Sequence, residues 1–398
     1  MTNPFASLTY KRISAIALAA GLPFGLSIPG QLMFLLGWLA EALSARDLSA
    51  RMLRSVREVV DRIKRPSLIS LFNLLALWMV FSSLFSVNIG VSLSSALLGI
   101  VIVWLCFAVI VPYILVDERI HIPLASIFAA SASIGSVISI IDVQSSRWFK
   151  RAELAAFGCN AFGNVLVMSL LVSVLLLTRI KPRWRPVLVI GMLMQLAALV
   201  LTYSRGAWIA LAAAICVLIV NTRSKAIIVL TIAAIVVFCL LASQYPYLVQ
   251  RLQSIVSLES NKDRVEHFEI GIKMIKDRPL TGFGIGNISR VANDFREPPK
   301  ETAMAFLHNV FLEVAVTTGI PGLIILVALI GGLIFIGVKC TVLAKAPLEL
   351  CVVFAMIVAQ LVHLQVDMIL LGAAAMPLGF IPVGILLRYC STNRHILH

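Results

Sequence analysis

The feature that most limits what this chain can become is the recurrence of apolar stretches long enough to cross a bilayer. Twelve such segments run through the 398 residues, at roughly 13–28, 30–43, 67–86, 93–116, 122–141, 157–178, 187–203, 206–221, 226–243, 309–338, 348–371 and 375–388. A membrane helix needs about 20 apolar residues, fewer where flanking residues snorkel. Composition agrees: 60% of residues are hydrophobic and 13% charged, against about 25% charged in soluble domains, and the mean hydropathy is +0.99. A soluble enzyme, a disordered chain and a nucleic-acid-binding domain are excluded. The expected fold class is an all-α polytopic membrane protein with about twelve transmembrane helices and one large outer loop. Pro29–Gly30 either separates the first two short spans or kinks a single one.

Charge sets the expected orientation. The formal net charge is +14, and in a membrane protein such an excess collects in cytoplasmic loops. With the N-terminus inside, twenty of the Lys and Arg residues fall on cytoplasmic segments, and only Arg147, Lys150, Arg151 and Arg205 on the short outer loops. That asymmetry places both termini in the cytoplasm and the long loop outside, in the periplasm of a Gram-negative cell. Lys11 and Arg12 before an apolar run resemble a signal peptide, but the apolar runs continue, so this is expected to be the first span. The seven cysteines lie in or beside apolar runs without a CxxC pair, which suggests neither zinc nor a disulfide framework.

Three units are expected: a membrane domain of about nine spans at 1–243, a loop subdomain at 244–308, and C-terminal membrane helices at 309–398. The stretch at about 244–305 carries nine basic and eight acidic residues and is nearly neutral. Within it, KDRVEHFEIGIKMIK (262–276) sets Val265, Phe268, Ile272 and Ile275 at helical spacing and predicts an amphipathic helix. Pro279 and GFGIGN (282–287) should end it. His267 and Glu269, two residues apart, share a helix face poorly and make a weak metal site.

Several polar residues sit where a bilayer makes them costly. Arg205, in LTYSRGAW between two closely spaced spans, is either a snorkelling anchor or a functional cation. Arg264 opens the loop helix and is either a solvated partner of Glu259 or Glu266 or a ligand-binding group. His308, in FLHNVFLEVAVTTGIPG (306–322), stands at the outer end of the last long span. A histidine there titrates near neutrality and is able to take a proton from a hydroxyl. Gly319, Pro321 and Gly322 allow a break or a close helix contact. His363 and Asp367 lie four apart on one face of the span at 348–371, as a functional pair or a buried lock between helices. Arg147, Lys150 and Arg151 read equally as phosphate ligands or an interfacial basic cluster.

Together these residues resemble the O-antigen ligase and polymerase family of bacterial membrane glycosyltransferases. His308-Asn309, nine residues, then Gly319-x-x-Gly322 is similar to the ligases' signature after the large periplasmic loop. Thr202-Tyr203-Ser204-Arg205 resembles the family's mid-chain arginine, and Arg264 with Glu269-Ile270-Gly271 the arginine of the loop helix. Pro279, Gly282 and Gly284 match a common segment, and Asp367 a late membrane aspartate. The resemblance implies a GT-C-like glycosyltransferase of the bacterial inner membrane, metal-independent and inverting, with its active site facing the periplasm. It implies an undecaprenyl-diphosphate-linked glycan as donor and lipid A–core oligosaccharide as acceptor, with no cofactor. His308 is the implied base, Arg205 and Arg264 the implied diphosphate ligands, and Asn309 and Asp367 supporting residues. A polysaccharide polymerase of the same family and, further off, a lipid-linked glycan transporter are the alternatives.

Overall fold

A computed structural model describes residues 4–24, 68–111, 118–146, 150–154, 158–222, 262–297, 304–343, 346–367 and 376–392, with isolated positions between 31 and 36 and between 228 and 253. The spans expected at 30–43 and 226–243 therefore lie largely outside the described residues, as does the question whether Pro29–Gly30 divides the first two. Every extended regular element described is helical. In chain order these are α1 (Pro4–Gly21), α2 (Leu68–Ser83), α3 (Ile89–Leu105), α4 (Glu118–Ser145), α5 (Cys159–Arg179), α6 (Arg185–Leu201), α7 (Arg205–Thr222), α8 (Lys262–Asp277), the short α9 (Ile288–Val291), α10 (Val310–Val338), α11 (Leu348–His363) and α12 (Met376–Thr392).

Among the described residues five apolar segments are long enough to cross a membrane: His121–Ser145, Cys159–Arg179, Pro182–Leu201, Arg205–Thr222 and Val310–Val342. Five further apolar helices of 10–17 residues accompany them. The architecture is that of a polytopic membrane protein, and ten of the twelve expected spans coincide with described helices. Leu77, Ile141, Ile190, Val220, Ile324 and Phe335 point outward from the bundle, as lipid-facing side chains do.

Between helices, small residues set the spacing. At Gly163 of α5 an added Cβ would lie 2.9 Å from the Ala207 Cβ of α7, and Gly337 of α10 receives the ring of Phe354. Close approach of this kind is how helices associate where no water drives them together. Two other seams, α6 on α4 and α4 on α1, are tied by buried polar groups: Gln195 Nε2 donates to the Ala129 carbonyl at 3.1 Å, and Ser131 Oγ to that of Ala20 at 2.6 Å. An unpaired polar group in hydrocarbon would cost several kcal/mol.

The bundle has two distinct ends. At one, Arg179 at the end of α5 pairs with Glu349 at the start of α11. At the other, the segments expected to lie on one side of the membrane are joined by main-chain hydrogen bonds. Val87 N donates to Phe283 O (3.2 Å), Ala152 N to Leu201 O (2.9 Å) and Val310 N to Leu364 O (3.0 Å).

The loop segment builds its own core there, from Ile270, Met274, Phe283, Ile288, Val291, Ala292, Met304 and Leu307 together with Leu312 and Val316 of α10. Helix α8 forms over 262–277 as expected, but the predicted apolar stripe is not its buried side. Of the stripe, Val265, Phe268 and Ile272 are exposed and Ile275 alone packs against the core, whereas Ile270, Gly271 and Met274 are buried. The reason is close approach: a Cβ at Gly271 would lie 2.7 Å from Leu312 Cδ2, so the glycine turns toward α10 and carries its neighbours inward.

Helix α10 has 29 residues, more than a hydrocarbon core of about 30 Å requires at 1.5 Å per residue. It is broken at Gly319 (φ 78°, ψ 177°). The carbonyls freed at the break find partners: Phe283 N donates to Val316 O and Gly284 N to Thr317 O, both at 2.9 Å, and Trp78 Nε1 to Thr318 O at 2.8 Å. The residues after Gly319 suffice to span the membrane, and the turn before it belongs to the outer core.

Candidate active site

The site lies at the end of the bundle capped by the loop core. Residues 304–309 run irregularly to α10, and the buried Glu313 steadies them by accepting the Leu307 amide at Oε2 (2.8 Å). Asn309 caps α10, its Oδ1 accepting the Phe311 and Leu312 amides at 3.0 Å. Its Nδ2 reaches the Gln365 carbonyl at 3.3 Å and Oε1 at 3.2 Å. With the Val310–Leu364 bond these contacts lock the start of α10 to the end of α11 and leave His308 between them, at φ 56°. Tyr203, before Arg205, is the other non-glycine described with positive φ (50°). Such conformations concentrate where surrounding structure imposes them, often at functional sites.

His308 Nδ1 stands 3.0 Å from Asp367 Oδ1. Asp367 is not inside a span: α11 ends at His363, and residues 364–366 form a turn before it. The helix stops because Asn309 and Val310 take the Gln365 and Leu364 carbonyls, acceptors that a continuing helix would need. Burial alone would raise the Asp367 carboxyl. The hydrogen bond and positive charge of His308, with Asn160 and His363, outweigh it and hold the group below its usual range. Asn160, at the start of α5, hydrogen-bonds Asp367 and accepts Arg151 Nη2 at Oδ1 (3.3 Å). Arg151 Nε in turn donates to the Thr202 carbonyl at 2.8 Å. Arg151 thus faces inward, while Lys150 pairs with Asp142 at 3.7 Å on the surface.

Arg205 opens α7 and is buried, 8% exposed. Thr202 Oγ1 accepts the Ser204 amide at 3.2 Å and shapes the turn that delivers it. At Gly206 a Cβ would lie 2.4 Å from Val366 Cγ2 and 2.8 Å from His363 Cδ2, so α7 docks against α11 through that glycine. Arg264 lies within electrostatic reach of the same His363. The neighbour of one expected arginine and the charge of the other therefore reach one buried imidazole, four residues before Asp367. His267, one helical turn after Arg264, stacks on His308 with ring centroids 5.4 Å apart and planes at 12°. Among the described residues no cluster of three or more His, Cys, Asp or Glu has metal-binding geometry.

Of the expected residues His308 and Asp367 meet directly, Asn309 bonds Gln365 beside them, Arg264 acts on the neighbouring His363, and Arg205 precedes the glycine that packs on His363. Asn160, His267 and Glu313 were not among the expected site residues, and Arg151 only as part of a basic cluster. Asn160 and Glu313 carry no sequence signal beyond being polar next to apolar runs.

A bundle of apolar helices with an imidazole–carboxylate pair among arginines at its capped end defines a polytopic membrane protein with a polar site at one membrane face. Residues 190–327 match the family model described as O-antigen ligase, a match that supports placing the chain in that family. The matched segment includes Arg205, Arg264, His308 and Gly319; Arg151, Asn160 and Asp367 lie outside it. No curated protein matches the chain.

Proposed function

We propose that the protein is an O-antigen ligase of the bacterial inner membrane, working at its periplasmic face in lipopolysaccharide biosynthesis. It transfers a glycan from undecaprenyl diphosphate to a sugar hydroxyl of lipid A–core oligosaccharide. The observation that carries the reading is the 3.0 Å contact of His308 Nδ1 with Asp367, at the end of the bundle that also presents Arg205 and Arg264.

With Nδ1–H held by the carboxylate, Nε2 carries the free lone pair, and the ring is exposed enough (35%) for a hydroxyl to reach it. The acceptor hydroxyl gives its proton to Nε2 as its oxygen attacks the anomeric carbon. The glycosyl C–O bond breaks, and the lipid diphosphate departs with the electron pair. Attack opposite the diphosphate inverts the anomeric centre. Charge grows on the leaving group, and guanidinium forks suit phosphate oxygens and remain charged in a low-dielectric site. Arg205 and Arg264 supply that stabilisation without a divalent metal. Holding both lipid substrates in one membrane plane supplies proximity.

The deciding experiment is a lipopolysaccharide gel of cells lacking the gene, with a probe for lipid-linked glycan. Loss of all O-antigen bands with accumulation of long lipid-linked chains is the expected result. Single repeat units still on the core, without a ladder, would instead mark a polymerase. An unchanged ladder in a strain that makes O-antigen would overturn both.

A further inference from the structure

We infer that His267 is a positioning residue for His308: its flat, neutral ring backs the His308 imidazole and supports the imidazolium that forms when His308 takes the acceptor's proton. The inference rests on the proposed base role of His308.

Three observations converge on it. The two rings are nearly parallel, 12° apart with centroids 5.4 Å apart, which is the offset-stacked arrangement of an aromatic pair. Asp367 holds the His308 ring at its Nδ1 edge, and the stack holds it by a face, so edge and plane are fixed by different elements. Helix α8 is itself fixed, because Gly271 and Met274 on its buried side pack against α10.

The surroundings favour an uncharged His267. Asp263 and Glu266 face it from α8, Arg296 from the segment after α9, and His308 from the loop before α10, with Asp367 behind His308. Glu266 Oε1 is engaged by the buried Arg296 Nε at 3.1 Å, which blunts its pull. Burial, then His308 and Arg296, outweigh the carboxylates and push the His267 ring below its usual 6.5. Its Nδ1 is sealed from solvent and has no hydrogen-bond partner among the described residues, and the contact it makes with His308 is through the ring face. A cation formed within about 6 Å of a neutral aromatic face is attracted to it, whereas a second cation there would repel it.

The test is steady-state kinetics of the full-length protein in liposomes containing lipid-linked glycan and lipid A–core acceptor, from about pH 5 to 8. His267→Ala should lower kcat roughly 3- to 30-fold with donor KM little changed. His267→Phe, which keeps a flat ring, should recover most of that loss. His267→Lys should lower kcat further and move its acid limb to lower pH, because a fixed cation disfavours the protonated base. Unchanged kcat in His267→Ala, or His267→Phe as poor as His267→Ala, overturns the inference. His308→Ala separates the two readings. If it is inactive while His267→Ala is fully active, only the stack is removed; if it is active, the base role itself falls.

Discussion

His308 and Asp367 are 59 residues apart in the chain, yet Nδ1 of one lies 3.0 Å from Oδ1 of the other. The pair is held from both sides, by the Asn309 cap bonded to Gln365 and by Asn160 bonded to Asp367. Such a carboxylate fixes the tautomer and orientation of a histidine base. Asp367→Asn removes the charge and keeps the shape, so kcat should fall about 10²–10⁴-fold while donor KM stays within a few-fold. Proteoliposome kinetics with both lipid substrates check it; near-normal kcat would leave Asp367 a structural residue.

The same carboxylate makes folding pH-dependent in a known direction. Its ordinary value is 3.8, and in the folded protein it lies lower, because His308, Asn160 and His363 outweigh burial. A depressed carboxyl stabilises the fold fully above its unfolded value and loses that stabilisation as pH falls through the folded one. The thermal midpoint of the wild type in detergent should therefore exceed that of Asp367→Asn above about pH 5 and approach it below about pH 4. A gap that persists unchanged into the acid range would mean the stabilisation does not come from this charge.

Much of this arrangement was legible beforehand, and what was not has a physical cause. Apolar length alone located the described helices other than α8 and α9, because a bilayer admits few alternatives to a helix of that length. Arg205 and His308 stood out because charge and polarity at a membrane boundary are costly, and Asn309 and Arg264 through the family resemblance. Asp367, however, read as a midspan partner of His363, and its release from α11 depends on Asn309 and Val310 capturing carbonyls from another element. Periodicity also chose the wrong face of α8, since it weighs Val265, Phe268 and Ile272 and gives nothing to Gly271, whose missing side chain decides the docking. The His267–His308 stack follows from that docking and was invisible for the same reason.

The arginines should fail a conservative exchange. Arg205 is buried and Arg264 acts electrostatically on His363, and in the proposed mechanism each presents a planar fork to a phosphate oxygen pair. An ammonium keeps the charge without the fork. Arg205→Lys and Arg264→Lys should each lower kcat/KM about 10²-fold, in line with the loss of one preorganised donor. Activity in excess EDTA should remain full. Loss that a returned divalent ion rescues would point instead to a metal bridging the diphosphate.

The two glycines Gly319 and Gly331 of α10 separate a structural demand from mere small size. At Gly319 the backbone has φ 78°, and a Cβ would lie 2.1 Å from the Leu280 carbonyl oxygen, while the next amide, Ile320, bonds Pro279 O at 2.7 Å. At Gly331 nothing lies within 4 Å of an added Cβ. Gly319→Ala must therefore push the 279–284 segment off the break, and with it the carbonyl partners of Val316 and Thr317. The strained backbone alone costs about 1–3 kcal/mol, and the displaced contacts add to that. Gly331→Ala, in a regular helix, should be neutral or stabilising by up to about 1 kcal/mol. Thermal unfolding of the two variants in detergent, alongside transfer activity, gives the comparison. Equal stability would mean that the signature glycine is kept for something other than the break in α10.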